Sequence, residues 1–108
     1  MKPAVLRPQA SRDQQGEARY YRNQAGTRVA VRLVKATNAA LDQVELNPGI
    51  GSPVLGKRLG VPGLRTWQVA TFPLLWFYFE RGDHLDVVRL LGDRQDIAAI
   101  LGAEFSAN

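Results

Sequence analysis

The sequence predicts an α+β fold: an αα-hairpin from the first half, packed on a three- to four-stranded antiparallel sheet from the second. Three observations carry this. Residues 9–46 follow the helical period, residues 64–92 hold three strand-sized apolar runs with short turns between them, and a Gly/Pro-rich stretch separates the two. Helices followed by strands, with hairpin-length connections, give a layer of helices on one face of an antiparallel sheet. The 108 residues fit one domain, 1–108.

A short strand is expected at Ala4–Arg7, closed by Pro8. A helix follows from Gln9 to about Gln24, starting near Gln9 or Ser11 and ended by Ala25-Gly26, where glycine relieves a left-handed cap. Its apolar face is thin: Ala10, Ala18 and Tyr21. Thr27 is a good N-cap for a second helix running to about Leu46, where Asn47-Pro48-Gly49 stops it. Ala30, Leu33, Val34, Thr37, Leu41 and Val44 recur at helical spacing and form its expected buried stripe.

Ile50–Gly63 reads as a loop around Lys57 and Arg58, enclosing an edge strand at Val54-Leu55. Leu64–Thr71 alternates, with Trp67 and Val69 on one face and Thr66 and Gln68 on the other. Leu74–Glu80 is apolar on both faces, which marks a central strand. Leu85–Leu91 completes an antiparallel meander, and Asp96–Leu101 has the pattern of a one- or two-turn helix. In the central strand Leu75, Phe77 and Phe79 oppose Trp76 and Tyr78. One set faces the hairpin. The other is either an uncovered aromatic surface, which marks a binding site, or is covered by Ile97–Phe105 folding back.

Composition narrows the function. There are no cysteines, so disulfides, zinc thiolates and thiol catalysis are excluded. No segment approaches the ~20 apolar residues of a membrane span, and no apolar run follows Met1-Lys2-Pro3 as a secretory signal requires. The net charge of +4 is lopsided: residues 1–53 hold eight Lys/Arg against four acids, and residues 54–108 hold six of each. A cationic excess confined to helices is either a solvated face or a surface for an acidic protein, rather than a DNA groove.

No glycine motif lies between strand and helix as a phosphate loop requires. Glu80, Asp83, Asp86, Asp93 and Asp96 alternate with Arg81, Arg89 and Arg94, a pattern of ion pairs rather than of acid catalysis or metal binding. His84 falls in a turn with no nucleophile beside it. A basic set remains: Lys57, Arg58, Arg65, Arg89 and Arg94, which would serve a binding site if they converge at one end of the sheet. Surface salt bridges, each worth ~0–1 kcal/mol, are the alternative.

The order of segments resembles a family. A helical hairpin leads to Leu46-Asn47-Pro48-Gly49-Ile50-Gly51, then Val61-Pro62-Gly63-Leu64-Arg65-Thr66-Trp67, then Phe72-Pro73-Leu74-Leu75-Trp76-Phe77-Tyr78, then Leu85-Asp86-Val87-Val88-Arg89-Leu90-Leu91-Gly92-Asp93-Arg94-Gln95-Asp96-Ile97. This is similar to the RelE/ParE superfamily of type II toxin–antitoxin toxins, and most to its ParE branch. Two positions depart from the pattern: Gln14-Gln15, where a leucine is usual, and Gly92, where ParE proteins often carry histidine.

The resemblance implies a RelE/ParE-like fold and a cytoplasmic toxin, of the kind tied to plasmid stabilisation. It implies an acidic, DNA-binding antitoxin partner in a hetero-oligomer, with no cofactor, metal, membrane or sequence-specific nucleic-acid contact by the toxin alone. RelE-type members cut messenger RNA on the ribosome. The arginine they carry early in the central strand falls here at about Pro73, and their terminal tyrosine at Ile97–Ile100. Only Arg94 sits where a catalytic cation is expected, so no catalytic set is assigned. The resemblance to ParE-type members implies binding to DNA gyrase and trapping it in a DNA-cleaved state without cutting RNA, which needs a surface rather than a triad. The expectation is therefore a gyrase-binding toxin, with Lys57, Arg58, Arg65, Arg89 and Arg94 toward the target and Arg19, Tyr20, Arg28, Arg32, Trp76 and Tyr78 toward the antitoxin. The alternatives are a ribosome-dependent endoribonuclease and a non-toxic antitoxin-binding module.

Overall fold

A computed structural model describes residues 1–106. Strand β1 (Ala4–Leu6) enters helix α1 (Pro8–Ala25), with Pro8 in the first helical turn, where its missing N–H costs nothing. Gly26, at φ +96°, is the whole connection to helix α2 (Thr27–Leu46). Thr27 is thus the first helical residue and not the cap, and Gly26 ends one helix and starts the next. A single-residue turn forces the helices side by side and antiparallel.

Beyond a 3-10 turn (Pro48–Ile50), Val54–Leu59 is a helix, α3, and not the expected edge strand. The edge pairing occurs two residues earlier, where Ser52 and Thr66 exchange backbone hydrogen bonds of 2.9 and 3.0 Å. Helix geometry lets Leu55 and Leu59 pack toward the sheet while Gly56 lies against the Leu64 carbonyl. Gly60, left-handed at φ +70°, then turns the chain.

Strands β2 (Arg65–Gln68), β3 (Leu74–Glu80) and β4 (Leu85–Gly92) form the antiparallel meander, and β2 is shorter than the alternation suggested. β1 joins the far edge of β4 in parallel, so the sheet is mixed, in the order β1-β4-β3-β2. Helix α4 (Ile97–Ser106) follows and is longer than expected, its start bonded by Asp96 Oδ1, which accepts from Ala99 N at 3.1 Å.

Among the described residues, both faces of the central strand are covered. Trp76 and Tyr78 are buried under α1 and α2 with Leu33, Val44, Val87 and Leu90. Phe77 and Phe79 are buried on the other face with Leu64, Val88 and Leu91, covered by Leu101 and Phe105 of α4 and by α3. An irregularity in the β3–β4 register at Phe77/Tyr78 helps both faces fill: Val87 and Val88 enter opposite cores, as do Leu90 and Leu91.

Candidate functional site

The basic set expected at one end of the sheet does not converge. Arg65 braces the turn before α3, its Nη1 donating to the carbonyls of Gly49 at 3.3 Å and Gly51 at 2.6 Å. Arg89 is nearly buried and donates through Nε and Nη2 to Asp13 of α1 at 2.7 and 3.1 Å. That carboxylate raises the guanidinium's pKa, and it also accepts from Leu90 N at 3.0 Å, satisfying the edge of β4 beyond the reach of β1. Arg94 donates to Glu17 at 2.6 Å and lies 3.7 Å over the Tyr20 ring. These three cations hold elements together. Lys57 and Arg58 remain exposed on α3 without a carboxylate partner among the described residues.

Two of the expected antitoxin contacts are corrected by burial. Trp76 donates from Nε1 to the Thr37 carbonyl at 3.0 Å and is fully buried. Tyr78 accepts from Gly51 N at 3.0 Å and donates to the Pro48 carbonyl at 2.8 Å. Burial pushes the Tyr78 phenol's pKa up. Both side chains are structural, because a central strand covered on two faces offers neither to a partner.

Of the acids around the last hairpin, Glu80, Asp83 and Asp86 pair off, while Asp93 and Asp96 form no ion pair among the described residues. Asp86 accepts from Arg7 Nε and Nη2, both at 2.9 Å, and from Arg81 at 3.0 Å. His84 Nδ1 lies 2.7 Å from Asp83. Among the described residues no cluster of three or more His, Asp or Glu could hold a metal, and no helix is long and apolar enough to cross a membrane.

What remains open is the outer face of the hairpin. Between α1 and α2 runs a groove of about 620 Å³. Its apolar lining is Ala18, Ala30, Val31 and Val34, with Val31 47% and Val34 37% exposed. Arg19, Arg22 and Lys35 form its rim. Arg28 and Arg32 continue beside it, at i, i+4 and i+7 with Lys35. Among the described residues none of these five cations forms an ion pair. An apolar channel edged by unpaired cations suits an amphipathic helix with acidic flanks. Arg19, Arg28 and Arg32 were legible in sequence. Nothing in the sequence marks Arg22, Lys35 or Val34 as groove residues, and the helical period of α2 places Val34 in the core. The signal for Val31 was available: it lies off the buried stripe of α2 yet is β-branched and apolar.

Comparison with solved structures shows where this fold occurs. The chain superposes on a structure titled "Chromosomal ParDE TA system from P. aeruginosa" with a TM-score of 0.72, covering 85% of this chain and 96% of that one at 20% identity. The two chains therefore share one α+β fold. No curated protein matches the sequence. Residues 4–97 match the family described as ParE toxin of type II toxin-antitoxin system, parDE, and the chain belongs to that family.

Proposed function

We propose that this ParE-family chain arrests growth by binding DNA gyrase, and that an acidic antitoxin segment neutralises it by lying in the groove between α1 and α2. The observation that carries the antitoxin contact is the groove itself: exposed Val31 and Val34 between unpaired Arg19, Arg22 and Lys35. Buried valines on a protein partner gain about 25 cal/mol per Å² of apolar surface covered, which a nucleic-acid backbone does not supply. Charge complementarity supplies orientation and a fast encounter.

Binding rather than RNA cleavage is favoured by what the cations do. Cleavage needs an acid/base group and cations free to neutralise a developing phosphorane. Arg94 is engaged by Glu17 and Tyr20, Arg89 by Asp13, and Arg65 by two carbonyls. At the position of a terminal tyrosine, Ile97 and Ile100 pack against the core.

The test is a supercoiling reaction with purified gyrase and increasing protein. Loss of supercoiling is expected, and unimpaired supercoiling at excess protein removes the reading. Messages cut on the ribosome in a primer-extension assay, and spared by Arg94→Ala, assign the chain to the endoribonuclease class instead. Unimpaired growth on expression without antitoxin assigns it to the non-toxic class.

A further inference from the structure

A second exposed surface lies at the other end of α2, outside the groove. Leu46 is 73%, Ile50 37% and Val54 51% exposed, three large apolar side chains within nine residues of chain. In α3, Val54, Lys57 and Arg58 stand at i, i+3 and i+4, so they share one face. Leu55 and Leu59 occupy the opposite face and pack into the core. Lys57 and Arg58 are exposed and form no ion pair among the described residues.

This surface is rigidly held. Tyr78 bonds Pro48 and Gly51, Arg65 bonds Gly49 and Gly51, and Ser52 is paired to Thr66. Gly56 lets α3 sit against the Leu64 backbone, closer than any side chain would allow. Apolar groups fixed in this way lose little entropy on docking. A solvated loop needs no such bracing and no run of exposed leucine, isoleucine and valine.

We propose that Leu46, Ile50, Val54, Lys57 and Arg58 form a second docking surface, one that takes an acidic, partly apolar patch on the toxin's protein target. Two cations with no acid partner among the described residues, on the face of α3 that also carries exposed Val54, are complementary to carboxylates bordering an apolar depression. The twelve residues of α2 from Val34 to Leu46 separate this surface from the groove by about 18 Å. A short antitoxin helix in the groove therefore leaves it uncovered. The inference rests on the toxin reading above, but not on gyrase being the target.

The test compares Lys57→Glu, Val54→Asp and Arg12→Glu with the wild type. Arg12 is exposed on α1, where it bonds Gln9, and its reversal matches Lys57→Glu in net charge. Unchanged far-UV circular dichroism and melting temperature qualify each variant as folded. The readout is the amount of protein needed for half-maximal inhibition of gyrase supercoiling. Lys57→Glu and Val54→Asp are expected to raise it about tenfold, as loss of a central contact does, with Arg12→Glu near wild type. Wild-type potency in both folded α3 variants, or an equal loss in Arg12→Glu, overturns the proposal. Should wild-type protein arrest growth while sparing gyrase, the gyrase reading fails by itself. Inducer titration of growth arrest then reads the same variants: relief by Lys57→Glu and Val54→Asp alone supports the surface, and undiminished arrest overturns it.

Discussion

Tyr78 shows how one buried hydroxyl fixes the approach to a surface. Its oxygen accepts from Gly51 N and donates to the Pro48 carbonyl, and position 51 suits glycine because that oxygen and the Thr66 carbonyl leave no room for a Cβ. Tyr78→Phe strands a backbone donor and acceptor and is expected to cost about 1–3 kcal/mol in urea unfolding. Asp13 has a comparable role at the β4 edge, where it accepts from Leu90 N. Asp13→Ala leaves a nearly buried Arg89 with only Glu104, at 3.5 Å, and is expected to cost about 3 kcal/mol by the same measurement. Sequence could not reveal this pairing, because Asp13 and Arg89 are 76 residues apart and only the fold brings them together. Asp86 adds a pH dependence. Its carboxyl is held below the usual range, first by the hydrogen bond from Arg7 and then by Arg81, against opposing burial. A depressed folded pKa contributes stability that is present above the unfolded value of about 3.9 and is lost as pH falls through the folded value. Urea midpoints from pH 5 to 2 should therefore fall less steeply in Asp86→Asn, which starts from a lower stability at neutral pH.

At the level of elements, α3 is where local pattern and fold part. Val54-Leu55 has strand composition, and the glycines around it have loop composition. What decides is tertiary: the helix turns Leu55 and Leu59 inward and brings Gly56 onto the Leu64 backbone. Gly56→Ala pushes a methyl into that carbonyl and is expected to destabilise by about 1–3 kcal/mol, as overpacking does. Helix α2 misled in another way. The period that marks Leu33, Thr37, Leu41 and Val44 as core also includes Val34, yet Val34 opens into the groove. Periodicity reports an apolar face; it does not report whether the chain itself or a partner covers that face. The strands β3 and β4 were legible nearly to the residue, because a run such as LLWFYFE, buried on both sides, permits little else.

At the scale of the molecule, the charge imbalance becomes intelligible. Glu80, Asp86 and Glu104 of the second half pair with Lys2, Arg7, Arg81 and Arg89, while the hairpin cations Arg19, Arg22, Arg28, Arg32 and Lys35 stay without carboxylates among the described residues. Reversing Arg19 and Lys35 to glutamate is expected to weaken capture of an acidic antitoxin segment about a hundredfold, and raising salt should weaken wild-type capture, as read by titration calorimetry. The lopsided charge was visible in the sequence; the groove was not, since it exists only between two helices joined by Gly26. The central proposal is that this ParE-family chain docks on gyrase and holds it in its DNA-cleaved state. Gyrase incubated with plasmid and toxin, then treated with detergent and protease, reports it most directly through the linear DNA released. Linear DNA that rises with toxin and disappears when gyrase is omitted is the predicted result; no linear DNA at saturating toxin contradicts the account.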